Sequence, residues 1–130
     1  MRSAMILAGL LAAALGTNSL CAAEKTLTGD EVKAQFSGKT VDYNHVTRGF
    51  RMSVFYEEDG SMRGMRDGNT MRGSWRVNDK GELCIEYGEG DRCRHIVEKD
   101  GEYRKYKEEN GKKIHIVTYH TFTDGNPNNY

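Results

Sequence analysis

The chain has 130 residues, with 19 basic and 19 acidic side chains and no net charge. That balance gives no electrostatic reason to expect nucleic acid or an anionic membrane surface as a partner. The length supports one modest domain, and Trp75, the recurring tyrosines and the β-branched residues exclude a disordered polar chain.

The N-terminus reads as a signal peptide. Arg2 supplies a short positive region, Met5 to Leu15 is an almost unbroken apolar run, Gly16 to Asn18 break it, and small residues follow at Cys21, Ala22 and Ala23. The run is shorter than the roughly 20 residues that cross a bilayer, and no later segment approaches that length. Cleavage is expected after Ala23, with the site after Ala22 close behind it. A lipoprotein cut before Cys21 fits poorly because Leu20 directly precedes it. Removing residues 1–23 takes away only Arg2 among the charged groups and leaves 107 of the 130 residues. The expected product is a periplasmic or secreted protein without a transmembrane segment.

One helix opens the mature chain. Thr28-Gly29-Asp30-Glu31 has the form of a capping box, Leu27 and Val32 flank it as a hydrophobic staple, and Asp30 and Glu31 suit the positive end of the helix dipole. Val32 and Phe36 share one apolar face, and Gly38 is a natural stop, so the spacing predicts two to three turns that cover a sheet like a lid or plug.

After Gly38 the chain reads as strands separated by turns: Asp59-Gly60, Asp67-Gly68, Lys80-Gly81, Gly88 to Asp91, Asp100-Gly101 and Asn110-Gly111. Apolar residues alternate along Phe50–Tyr56, Met71–Val77 and Leu83–Tyr87, and Ile114–Phe122 is the most β-prone run. With Lys39–Val46 as the first, eight hairpin-linked strands are expected. They form a mainly β domain over 24–123, an antiparallel meander that curls or closes into a small up-and-down barrel. Residues 124–130, with Pro127, form a polar C-terminal tail.

Cys84 and Cys93 flank the Gly88–Asp91 turn, and an even pair in an exported chain reads as a disulfide stapling one hairpin. That pairing puts Leu83 and Ile85 on one face with Arg92 and Arg94. Either a bulge shifts the register there or that face is half-solvated.

The segments LTGDEVKAQFSGKT (27–40), FYEEDGSMRG (55–64) and GSWRVNDKGELC (73–84), with Cys93, together resemble a group of small secreted bacterial proteins, the domain-of-unknown-function family numbered 995. The resemblance implies a loosely lipocalin-like fold, a helix followed by a small meander barrel, and an envelope location. It stops at Glu98 and brings no catalytic residue with it.

Residues able to carry chemistry are few. His115 and His120 differ by an odd number and are expected on opposite faces of a regular strand, with no carboxylate or Cys at ligand spacing. Met52, Met62, Met65 and Met71 offer soft thioethers of the kind that select Cu(I), but Met52 and Met71 fall on the apolar parity, where Met fills core space. Eight arginines between Arg48 and Arg94 are matched by nine acidic residues, which fits cross-strand ion pairs on an outer face. Arg63, Arg66, Arg72 and Arg76, on two adjacent strands, are the candidates should an anion bind. No serine lies in a Gly-x-Ser-x-Gly elbow, so no catalytic residue, metal site or cofactor is assigned. Trp75, Tyr56, Met52 and Met71 are the candidate ligand-contacting set. The expected function is a non-enzymatic exported module for a small apolar ligand or an envelope protein partner. A protease or hydrolase inhibitor acting through a loop, and copper or haem handling, are the alternatives.

Overall fold

The computed structural model describes residues 23–88 and 90–130; the expected signal peptide therefore lies, apart from Ala23, outside the described residues. The elements in chain order are β1 (Lys25–Thr26), α1 (Gly29–Phe36), β2 (Lys39–His45), β3 (Arg51–Tyr56), β4 (Ser61–Arg66), β5 (Asn69–Val77), β6 (Leu83–Glu86), β7 (Arg92–Arg94), β8 (Ile96–Lys99), β9 (Glu102–Glu109) and β10 (Lys112–Asp124). All ten strands belong to one antiparallel sheet ordered β1-β8-β9-β10-β2-β3-β4-β5-β6-β7. It curls into a half-barrel.

Ten strands replace the expected eight for two local reasons. β1 precedes the helix and pairs with β8. The run 92–99 is interrupted at His95, so that β7 pairs with β6 and β8 pairs with β9. That one run thus reaches from one end of the meander toward the other. Two hydroxyls measure the curl. Tyr43 on β2 and Tyr87, just after β6, are four inter-strand steps apart, roughly 19 Å in a flat sheet, yet their hydroxyl oxygens are 3.1 Å apart. Gly64 permits the tight bend: a Cβ there would sit 2.0 Å from the Ser53 carbonyl oxygen.

α1 forms because its ends are satisfied locally. The Thr28 hydroxyl accepts from the Glu31 amide at 3.2 Å, and the Glu31 carboxylate accepts from the Thr28 amide at 3.2 Å. Past the helix, Gly38 turns with φ 71° and its amide donates to the Tyr56 carbonyl. The helix buries Val32 and Phe36 completely against the concave face. The Phe36 ring meets Tyr56, Tyr119 and Phe122 edge-on, with centroids 5.1, 5.2 and 5.3 Å away. Val41, Val54, Met62, Leu83 and Ile96 complete this end of the core. One end of the half-barrel is therefore plugged and solid.

The Cys84–Cys93 disulfide is present, and the two cysteines are directly paired in the ladder. No register shift occurs in that hairpin, so Arg92 and Arg94 do share a face with Ile85 and Leu83, the two arginines exposed and the two apolar residues buried. β10 carries two irregularities, between His115 and Val117 and between Tyr119 and Thr121. These reverse the side-chain parity twice. His115 bonds to Thr118 and His120 to Asn44, both on the convex side, which corrects the expectation of opposite faces. The polar C-terminal residues are held to the sheet: the Thr40 hydroxyl donates to the Gly125 carbonyl, and the Tyr130 hydroxyl donates to Ser53 on the convex face at 2.8 Å.

Two stability measurements follow. The disulfide closes a loop with a sequence separation of 9, so replacing Cys84 and Cys93 by Ser should lower the unfolding free energy by about 2–3 kcal/mol in denaturant titration. Trp75 is 8% exposed and packs edge-on against Tyr56. Trp75→Ala should cost about 3–5 kcal/mol; a loss well below that range would mean the indole walls a cavity instead of filling core.

Candidate functional site

The end of the concave face opposite α1 is built differently. Along β2 the inward residues Val41, Tyr43 and His45 move from apolar to polar, and the ladder carries Tyr43 next to Met52 and then Arg66. On the other side Tyr43 pairs with Tyr119, and His45 with Val117, which in turn neighbours Lys105. Three chain reversals, at 46–50, 67–68 and 110–111, surround this open end, with the paired ends of β6 and β7 beside them.

Tyrosine hydroxyls floor the opening. Tyr56 donates to Tyr43 at 3.5 Å, and Tyr43 meets Tyr87 at 3.1 Å. The Tyr119 hydroxyl is buried and has no hydrogen-bond partner among the described residues, and its ring packs against Tyr43 with centroids 5.2 Å apart. Burial pushes the phenols of Tyr43, Tyr56 and Tyr119 well above their ordinary range, so all three stay protonated. Tyr87 is 43% exposed as a residue, yet its hydroxyl points inward. Gly73 makes room for its ring: a Cβ there would lie 3.0 Å from Tyr87 Cδ1 and 2.4 Å from the Glu86 carbonyl oxygen.

Cations ring the floor. The Arg66 guanidinium lies 3.9 Å from the Phe50 ring centroid, and Phe50 packs against His45 with centroids 4.9 Å apart. His45 Nδ1 accepts from the Arg48 amide at 3.2 Å, so that nitrogen is unprotonated. Burial first, then Arg48, Lys105, Arg66 and Lys107, hold the imidazole below its ordinary pKa. Lys105 is the exceptional group. It is 9% exposed, and among the described residues its ammonium makes no hydrogen bond or ion pair. Burial, reinforced by Arg94 and Arg92, pushes it down to about 8.

The sequence-derived candidates fall in several places. Trp75, Tyr56, Met52 and Met71 all face the concave side, but Trp75 and Tyr56 are buried in the plugged core, with the indole N–H donating to the Glu57 carbonyl at 2.8 Å. Met71 packs at the core margin, and Met52 alone neighbours the tyrosine floor and Arg66. Met65 turns to the convex face, accepting from Thr70, so the four methionines are divided between two faces. The four arginines are likewise divided. Arg63 and Arg72 are paired across the convex face, where Arg63 binds Glu57 at 3.2 Å, and Arg76 there binds Asp91. Arg66 alone joins the open end. Open convex grooves of about 240 and 310 Å³ are lined by Arg63 and Arg72 and by Arg76 respectively.

Tyr43, Tyr87, Tyr119 and Lys105 were not selected by sequence reasoning. Tyr43 and Tyr87 do fall on the apolar parity of their strands, which is a usable signal. Tyr119 is hidden by the β10 irregularities, and Lys105 by the uniformly polar run Glu102–Glu109. Among the described residues no three His, Cys, Asp or Glu gather as a metal site, and no helix is long and apolar enough to cross a membrane.

These features define a helix-plugged antiparallel half-barrel whose open end presents tyrosine hydroxyls beneath a rim of cations. The chain belongs to the family described as protein of unknown function (DUF995), whose pattern matches residues 4–92. The match includes Tyr43, Met52, Arg66, Trp75 and Tyr87, and ends before Lys105 and Tyr119. No curated protein and no solved structure matches the chain.

The buried lysine generates a pH dependence. Its folded-state pKa of about 8 lies below the ordinary 10.5, so between these values the unfolded chain binds a proton that the folded chain does not. Stability should therefore rise by about 2 kcal/mol from pH 8 to 10. Above pH 10 the raised tyrosine pKa values reverse the slope, because the unfolded phenols ionise first. Lys105→Met should be more stable than the parent at pH 7 and should lack the rise, as read by denaturant titration at each pH.

Proposed function

We propose that this protein is an exported, non-enzymatic binding module that takes a small molecule with an apolar body at the open end of its concave face. The observation that carries this reading is the buried Tyr119 hydroxyl, without a hydrogen-bond partner among the described residues, beside the linked Tyr43 and Tyr87. A buried polar group without a partner costs about 1–3 kcal/mol, and an incoming acceptor would remove that penalty. Phe50, Met52 and Ile114 supply apolar surface at the margin of the same core. The phenols held there stay protonated, which suits recognition and gives no general base. Export is supported by the disulfide and by the signal-peptide pattern of residues 1–23, with a periplasmic or secreted destination.

An envelope protein partner is favoured by one further observation. Val46 and Tyr87, the large apolar side chains that are exposed among the described residues, both rim the same opening. Native mass spectrometry of protein taken from its own compartment separates the two. A retained small molecule, released on denaturation and diminished in Tyr87→Ala, is the expected result. A bare chain mass with a co-purifying protein released by the same Tyr87→Ala change would transfer the reading to a protein partner. A bound metal would transfer it to copper or haem handling.

A further inference from the structure

We infer a second ligand site on the convex face: a groove in which Arg63 and Arg72, paired across β4 and β5, hold the phosphate or carboxylate group of a small organic anion. It lies on the opposite side of the sheet from the proposed ligand end and does not depend on that reading.

The ladder sets Arg63 directly opposite Arg72. Residues so placed stand with Cβ atoms about 4.5–5.5 Å apart, and like charges there destabilise the sheet. Both arginines line one groove of about 240 Å³, and none of its lining residues is acidic. The neighbouring groove is the contrast: Arg76 shares its walls with Asp59, Glu86 and Asp91, and is bound by Asp91. Arg63 is held in place without a ligand. One of its terminal nitrogens lies 3.2 Å from the Glu57 carboxylate, and its guanidinium carbon is 5.9 Å from the Phe55 ring centroid. Glu57 offsets one of the two positive charges and leaves the other. The Arg63 Nε is buried without a hydrogen bond among the described residues. Arg72 is exposed, and its side chain makes no hydrogen bond or ion pair among the described residues. The far wall is fixed too. The Tyr130 hydroxyl donates to Ser53 at 2.8 Å, and the Asn126 side chain bonds both the amide and the main-chain oxygen of Tyr130. That oxygen is therefore engaged by an amide and not by a guanidinium. Two guanidiniums across one groove present the paired N–H donors that a phosphate or carboxylate accepts from. Met65 and Tyr130, which also line it, supply apolar surface for a ring.

Amide NMR shifts of the isotope-labelled chain at pH 7, titrated with phenyl phosphate, benzoate, phenol and inorganic phosphate, test this. Phenyl phosphate and benzoate should shift the amides of Thr70, Arg72 and Asn129 saturably and bind about tenfold or more tightly than phenol, the difference a charge-assisted hydrogen bond makes. Arg72→Gln, at an exposed position, should keep the parent's spectrum elsewhere and weaken both anions by about the same factor. Arg76→Gln, in the neighbouring groove, should leave them unchanged. With those amides shifted, inorganic phosphate binding as tightly as phenyl phosphate would support the site and identify a free anion as its source, whereas weaker binding would support it and identify an anion carried on a ring. Shifts confined to the amides of Tyr43 and Tyr87 would overturn the groove and favour the concave end alone. Phenol binding as tightly as phenyl phosphate, binding undiminished in Arg72→Gln, or no shift with any probe would overturn the groove and leave the concave reading to the native mass measurement.

Discussion

The ring of Phe36 is the contact on which the rest of the architecture depends. It enters from α1 and meets three aromatic rings contributed by β3 and β10, two strands separated in the sheet by β2. A single side chain thus joins the helix to the centre of the curled sheet and fills the space that the curl creates. Because edge-to-face aromatic contacts add to the hydrophobic burial of each ring, that end is both dry and rigid. Everything accessible is displaced to the opposite end, where the strands splay and polar side chains replace apolar ones.

This polarity of the half-barrel explains a pattern that is puzzling residue by residue. Tyr56, Tyr43 and Tyr87 form a hydroxyl chain that starts in the core and ends at solvent. A chain of hydroxyls can be satisfied internally only if every member finds a neighbour, and among the described residues Tyr119 does not. Lys105, largely buried as a residue and without an ion pair among the described residues, lies on the adjoining strand. Packing alone would favour Phe at position 119, so this end of the core carries a polar cost that Val41, Val54 and Phe36 do not. On the convex face Arg63 and Arg76 each have a carboxylate partner, Glu57 and Asp91, although Arg63 Nε is buried without a hydrogen bond among the described residues.

The disulfide contributes to this arrangement indirectly. By fixing Cys84 opposite Cys93 on the convex side, it puts Arg92 and Arg94 on the same face as Ile85 and Leu83. Two residues later the chain leaves β6 and pairs with β9, carrying Ile96 into the core beside Lys105. The covalent link therefore sets the register of the strand that brings positive charge toward the opening.

Local signals along the chain determined the helix, its cap, the turns, the disulfide and the mainly β character, because each depends on residues within a few positions of one another. Thr28 with Glu31, the Asp-Gly and Asn-Gly turns, and the alternation through Phe50–Tyr56 are of this kind. The division of the run 92–99 was not legible, since it depends on which distant strands lie on either side. Nor were the faces of His115 and His120, because irregularities in β10 alter a parity that the sequence presents as regular. The candidate site shows the same limit. Met52 and Arg66 could be proposed from their strands, but Lys105 lies in a run of charged and aromatic residues with no apolar parity to mark an inward side chain. Its burial, and the meeting of Tyr43 with Tyr87 across four strand spacings, arise only when the sheet curls. Curvature is a property of the whole sheet, and no window of sequence contains it.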